Sequence, residues 1–212
     1  MAVLDYGMGN LRSVLNAFRV AGAESVLVSD PAGLDGFDAL VFPGQGCIVD
    51  CVRQLRKTGL DAAIADWVDR DRPFFGICLG LQALFDHSEE GDGPGLSIIP
   101  GEVRRFRLPD GYKVPHMGWN RVRFSPENPL AEGIDASEDQ FYFVHSYYVV
   151  PENRTIVWCE SDYGGAFWAG IRRGRCYARK KARQRGSAFT GIFLSAWFSI
   201  QHGPRVDGSE YP

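Results

Sequence analysis

The stretch "GICLGLQ", residues 76 to 82, places Cys78 between two glycines, directly after the apolar run "PFF" and just before "ALF", which continues at helical spacing. A cysteine on a tight strand-to-helix turn, with Gly76 and Gly80 permitting close backbone approach, is held out of the core towards a ligand. The helix that follows points its amino terminus at the sulfur and favours the thiolate, the form that attacks an acyl carbon. Acyl chemistry also needs donors for the developing oxyanion. The turn "PGQG", residues 43 to 46, follows the apolar "ALVF" and aims a backbone N–H at the same crevice, with the N–H of Leu79 as the natural second donor. An isolated cysteine more often packs as a small hydrophobe. Here the flanking glycines, and a second glycine-bearing turn at a neighbouring strand end, favour the nucleophile.

These turns need a sheet to hold them. "AVLDYG" reads as a strand ending in glycine, followed by "NLRSVLNAFRVAG", where Leu11, Val14, Leu15 and Phe18 recur at helical spacing and Gly22 marks a stop. "SVLVSD" and "DALVFPG" repeat the strand signal, and "DCVRQLRKTGLDAAIADWVDRDRP" supplies one or two helices before Pro73. Alternation of this kind builds a parallel sheet with helices on both faces and functional groups at the carboxyl ends of its strands. From about residue 100 the pattern changes to strands joined by short loops, "GEVRRFRL", "GWNRVRF", "QFYFVHSYYVV", "TIVWCESDYG" and "FWAGIRRGRCYA". They predict an antiparallel extension of the first sheet.

Composition excludes several classes. With 212 residues, 45% hydrophobic, 23% charged and a formal charge of −3, the chain reads as one soluble domain without a bias towards nucleic acid or anionic membranes. Its longest apolar stretch, "SAFTGIFLSAWFSI" from Ser187, is interrupted by Gly and Ser and falls short of the roughly 20 residues that cross a bilayer. Five cysteines, an odd number, and no secretory segment before Asp5 fit a reducing cytoplasm. Cys47 and Cys51 stand four apart without further ligands at zinc spacing, so no metal is expected. "DYGMGN" lacks the third glycine of a dinucleotide site and reads as a turn into the first helix; no cofactor is expected.

Taken together, "GICLGLQ" resembles the nucleophile elbow of class I glutamine amidotransferases and "PGQG" their oxyanion loop. "DYGMGNLRSV", "KVPHMGWNRV" at 113 to 122 and "YFVHSYYV" at 142 to 149 narrow the resemblance to the glutaminase subunits of imidazole glycerol phosphate synthase, which supply ammonia in histidine biosynthesis. It runs from residue 2 to about 178. It implies an α/β fold, a flavodoxin-like mixed sheet with flanking helices and an antiparallel extension, in one amidotransferase domain over residues 1–178. It also implies that Cys78 attacks the carboxamide of glutamine, that Gln45 and Leu79 offer the oxyanion N–H groups, and that Gly46, Gln82, His145, Ser146 and Tyr147 shape the glutamine pocket. The segment around Met117, Trp119 and Asn120, with Asn10, would face a cyclase subunit of the (β/α)₈-barrel type in a heterodimer. Other readings are a noncatalytic partner-binding subunit, or a class I amidotransferase of another pathway such as pyridoxal phosphate synthesis; "KVPHMGWN" argues against the latter.

One part of the family pattern is missing. The thiolate needs a base oriented by a third group, which in the family is a His and a Glu in a "His-Pro-Glu-Lys-Ser" segment near the carboxyl terminus. This chain has four histidines: His116 and His145 lie in matched motifs with other roles, His87 lies in a surface "DHSEE" turn, and His202 lies 24 residues past the end of the match. His202 is the only substitute base the sequence offers, and a solvated tail histidine is its simpler reading. Residues 179 to 212 are aberrant, with six basic and two acidic side chains against 17 and 24 in residues 1 to 178. A basic run of this kind is commonly a solvated segment.

One permitted set of codons for Arg179 to Arg185, CGG AAA AAA GCC AGG CAG CGG, regrouped by one frame reads Glu-Lys-Ser-Gln-Ala-Ala, which opens with the Glu-Lys-Ser of the family's segment. The expectation is a deletion that removed the triad histidine and shifted the frame, leaving glutaminase activity impaired and the fold less stable. Sequencing the nucleotides around codon 178 should reveal Glu-Lys-Ser in another frame. Nucleotides that cannot yield it rule out the shift.

Overall fold

The computed structural model describes residues 1–125, 131, 134–180 and the backbone of 183–184. The first half runs β1 (Ala2–Leu4), α1 (Leu11–Val20), β2 (Val26–Val28), β3 (Leu40–Gly44), α2 (Ile48–Thr58), α3 (Leu60–Asp69), β4 (Phe74–Cys78) and α4 (Leu79–Gln82). Asn10 caps α1 by accepting a hydrogen bond from the Ser13 N–H at 3.2 Å, and Gly22 follows its end at φ +73°. The region predicted as one or two helices is two. Gly59, at φ +74°, both ends α2 and begins α3, a conformation that glycine adopts without steric cost.

The second half is made of strands: β5 (Phe85–Ser88), β6 (Gly93–Pro94), β7 (Ile99–Arg105), β8 (His116–Asn120), β9 (Arg123–Phe124), β10 (Phe141–His145), β11 (Tyr147–Pro151), β12 (Val157–Asp162), β13 (Ala166–Arg173), β14 (Cys176–Arg179) and β15 (Arg183–Gln184). Among the described residues these form a large sheet in the order β2-β1-β3-β4-β14-β13-β11-β7-β5-β6, with β12 and β9 branching from β13. Strands β2, β1, β3, β4 and β14 are parallel, and β14, β13, β11 and β7 alternate antiparallel. The expected parallel sheet with an antiparallel extension is therefore present. A small sheet, β15-β10-β8, stands apart.

Side-chain alternation explains how one sheet carries two cores. Leu4, Leu40, Phe42, Phe74 and Ala178 face α2 and α3, packing with Ile48, Leu55, Ile64 and Trp67. Their neighbours Val3, Val41, Phe75 and Tyr177 face the other way, against Phe18 of α1. Both faces are covered, as buried parallel strands require.

Two expectations need correction. The helix after Cys78 does not continue through "ALF": α4 ends at Gln82 and Phe85 already belongs to β5. The carbonyls of Ala83 and Leu84 instead accept hydrogen bonds from Leu96 at 2.8 Å and from Ile98 and Ile99 at 2.9 Å, so long-range partners replace the next helical turn. His87 consequently lies on a strand, its Nε2 3.0 Å from Asp92 Oδ1. Likewise "QFYFVHSYYVV" is not one strand. It breaks at Ser146, with β10 in the small sheet and β11 in the large one. The expected tail, with His202, lies outside the described residues apart from Arg179, Lys180 and the backbone of 183–184.

Candidate active site

Cys78 closes β4 at φ +57° and ψ −102°, a conformation costly to any residue with a Cβ. Three glycines allow it. A Cβ on Gly80 would overlap the Phe42 carbonyl oxygen, and one on Gly76 would stand 2.8 Å from both Ala178 Cβ and the Gly80 carbonyl oxygen. On the opposite strand a Cβ on Gly44 would meet the Tyr6 hydroxyl at 2.5 Å and Leu79 Cβ at 2.7 Å. The turn is thus wedged against β3, with Cys78 half-exposed above it.

The register places the second turn beside the first. Gly44 is the ladder partner of Cys78, so Gln45 and Gly46 leave β3 level with the sulfur-bearing residue. Gly46 turns the chain at φ +102°. Tyr6 braces this end by donating its hydroxyl to the Pro43 carbonyl at 3.1 Å. Leu79 is the first residue of α4, where backbone N–H groups have no carbonyl one turn back to bond, and it is buried. Its N–H and those of the 45–46 turn are donors of the kind an oxyanion needs. With only four residues, α4 has a far smaller dipole than the long helix expected, so a neighbouring base gains importance.

The other cysteines differ from Cys78. Cys51, Cys159 and Cys176 are buried, and burial pushes each thiol up to about 12, which makes them inert packing groups. Cys47 caps α2. Among the described residues no group of three His, Cys, Asp or Glu is placed to hold a metal ion.

Of the predicted pocket residues, Gln82 is buried one turn after Cys78, and α4 packs against β11, which begins at Tyr147. Ser146 and Tyr147 are half-buried at the break between β10 and β11, where the Ser146 carbonyl accepts from the Phe106 N–H at 3.0 Å. His145 is present at the same break but fully engaged. Its Nδ1 lies 2.9 Å from the Tyr147 carbonyl and its Nε2 3.2 Å from Nδ1 of His116. A carbonyl only accepts, so His145 Nδ1 carries the proton and His116 Nδ1 donates to His145 Nε2. Burial holds both rings below the ordinary 6.5, His116 at about 4 and His145 well below its usual range, the latter also depressed by the Lys180 charge.

The residues expected to face a partner divide into two groups. Met117 and Trp119 are exposed by 60 and 38% on one face of the small sheet, where Val144, not among the expected residues, is exposed by 52% and the Trp119 and Tyr142 rings lie 5.4 Å apart. Asn120 is turned inward instead, donating to the Asp162 carbonyl at 2.6 Å, and Asn10 is occupied as the cap of α1.

Two residues near the site carried no sequence signal. Glu90 accepts from the Ile48 N–H at 3.1 Å and so reaches the start of α2, just past the 43–46 turn. Lys180, counted in a solvated basic run, is only 2% exposed.

The class-I glutamine amidotransferase family model matches residues 2–176. The imidazole glycerol phosphate synthase subunit HisH of Neisseria meningitidis serogroup A is 49% identical over 178 residues, covering 78% of this chain and 83% of that protein. The HisH subunit of Chromobacterium violaceum is 44% identical over 209 residues, covering 93% of this chain and 97% of the other. A crystal structure of a glutamine amidotransferase superposes with a TM-score of 0.68 at 18% identity, covering 96% of this chain and 99% of that one.

Two outcomes are expected. Gly80→Ala drives a Cβ into the Phe42 carbonyl, and should destabilise the protein by about 3 kcal/mol or more in urea unfolding. The histidine pair sets a pH dependence. In the unfolded chain both rings protonate near 6.5, whereas folded they stay neutral to lower pH, so their stabilisation is complete above 6.5 and lost as pH falls towards about 4. Denaturation measured across that window should show a loss approaching about 1.4 kcal/mol per pH unit for each histidine, reduced by about one proton's worth in His116→Gln.

Proposed function

Because this chain belongs to the class-I glutamine amidotransferase family, we propose that it is the glutaminase subunit of an imidazole glycerol phosphate synthase, working in the cytoplasm. The observation that carries the reading is the level pairing of Gly44 with a Cys78 held at φ +57°. That arrangement supports a nucleophile beside a glycine-bearing turn at one strand end, the neighbourhood in which attack on a carboxamide carbon would find backbone donors.

On this reading Cys78 Sγ attacks the side-chain carboxamide of glutamine. The oxygen moves towards the N–H groups of Gln45 and Leu79 as charge develops, ammonia leaves, and water hydrolyses the glutamyl thioester. Gly46, Gln82, His145, Ser146 and Tyr147 line the substrate. Glu90 supplies the carboxylate that an amino-acid ammonium group favours. The reaction so written consumes glutamine and water and draws on no cofactor.

The apolar face of Met117, Trp119 and Val144 supports a docking role for the small sheet, since a contiguous exposed apolar surface marks an interaction site. Its occupant on this reading is a barrel-type cyclase that receives the ammonia as the other half of a heterodimer. Residues 1–178 form the amidotransferase domain, and the sequence from 179 onwards is the product of a shifted frame.

Turnover in this chain is impaired. Among the described residues His87 is paired with Asp92, while His116 and His145 are tied to each other and to the Tyr147 carbonyl, so none replaces the family's triad histidine. Glutamine hydrolysis measured with the cyclase subunit and its nucleotide substrate should be slower by about a hundred-fold or more than in a subunit carrying the triad. Cys78→Ala should abolish the remainder, and a diazoketone analogue of glutamine should label Cys78. Failure of the analogue to label Cys78 in that complex overturns the reading.

A further inference from the structure

β14 runs parallel to β4, with Ala178 opposite Gly76 and Arg179 opposite Ile77. Lys180 follows the last pair of that ladder on one side as Cys78 follows it on the other, at the end of strands that lie about 4.8 Å apart. The Lys180 backbone N–H bonds the Ala169 carbonyl at 2.8 Å, which fixes the residue against β13 as well. Together with Arg179 it borders a cavity walled by Val122, Phe141, Phe143 and Ala169. Its side chain is buried, and among the described residues Nζ has no hydrogen-bond partner.

An ammonium group in such a place, without a partner, is costly. Burial brings the amine down to about 8, and the negative charges of Cys78 and Glu90 act against that decrease. Its charge also acts on His145, holding that ring neutral. The charged form is thus favoured by negative charge on either neighbour, a thiolate on Cys78 or the Glu90 carboxylate. A lysine brought close to neutral pH by burial is also suited to general-base work.

We propose that Lys180 is the proton acceptor for Cys78 in glutamine hydrolysis, standing where the family's histidine is missing; this rests on the glutaminase reading. The S–H proton passes to the Nζ lone pair as the S–C bond forms at the carboxamide carbon. The C–N bond then breaks, and the leaving nitrogen takes the proton from the Lys180 ammonium and departs as ammonia. In the second half Nζ accepts a proton from water as its oxygen attacks the thioester. The C–S bond breaks, the proton returns to sulfur, and glutamate is released.

The test compares wild type, Lys180→Met and Lys180→Arg in complex with the cyclase subunit, reading both iodoacetamide alkylation of Cys78 and glutamine turnover across pH. Methionine keeps the unbranched chain as far as Cε and removes an unpaired buried amine, so this variant should fold at least as stably as wild type. It should lose about a hundred-fold in turnover and about ten-fold in alkylation near neutral pH. Arginine keeps the charge but holds its proton, so alkylation should persist while turnover is lost. Wild-type turnover that Lys180→Met leaves unchanged overturns the role of Lys180 and leaves the glutaminase reading intact. Turnover retained in Lys180→Arg reduces the role to charge alone and refutes proton transfer. Absence of turnover in all three, even where alkylation depends on Lys180, refutes the glutaminase reading and the inference with it.

Discussion

The backbone of Cys78 is the constraint to which the rest of the site conforms. A non-glycine residue at φ +57° is held there at a cost of about 1–3 kcal/mol, and the surrounding packing must make every alternative worse. It does so by removing side chains at Gly44, Gly76 and Gly80, so that two strands and a helical turn close directly on one another. The approach that makes room for the strain also brings the 45–46 turn level with the sulfur. Geometry and reactivity here share one origin.

The sheet supplies the rigidity behind that turn. Its parallel strands are covered by α2 and α3 on one face and α1 on the other, so the carboxyl ends of β3, β4 and β14 are fixed relative to each other by two separate cores. The break at Ser146 adds an economy of layout. A single continuous run carries Tyr142 and Val144 on the small sheet, breaks at Ser146, and enters the large sheet at Tyr147 as β11, which packs against α4.

Much of this was legible in residue order, and the reasons differ by element. Helical spacing of Leu11, Val14, Leu15 and Phe18 located α1, and short apolar runs located β1 to β4, because those patterns follow from local burial. Cys78 and its facing turn were found through their glycines, which report backbone conformation directly. The length of α4 was not readable, since "ALF" keeps helical spacing and only carbonyl bonds to Leu96, Ile98 and Ile99 stop it. Nor was the break at Ser146, across which apolar alternation continues. Glu90 and Lys180 were missed for a common reason: charged residues read locally as solvated, and their burial is decided by distant strands.

β14 lies between β4 and β13, so the last ladder of the large sheet is formed at its middle rather than its rim. All of its partners come from earlier in the chain, and they are engaged by Arg179, the residue at which the composition changes. The polypeptide therefore sets its keystone strand at the residue where its basic run begins. Whatever follows Arg179 meets a sheet whose middle ladders are already closed.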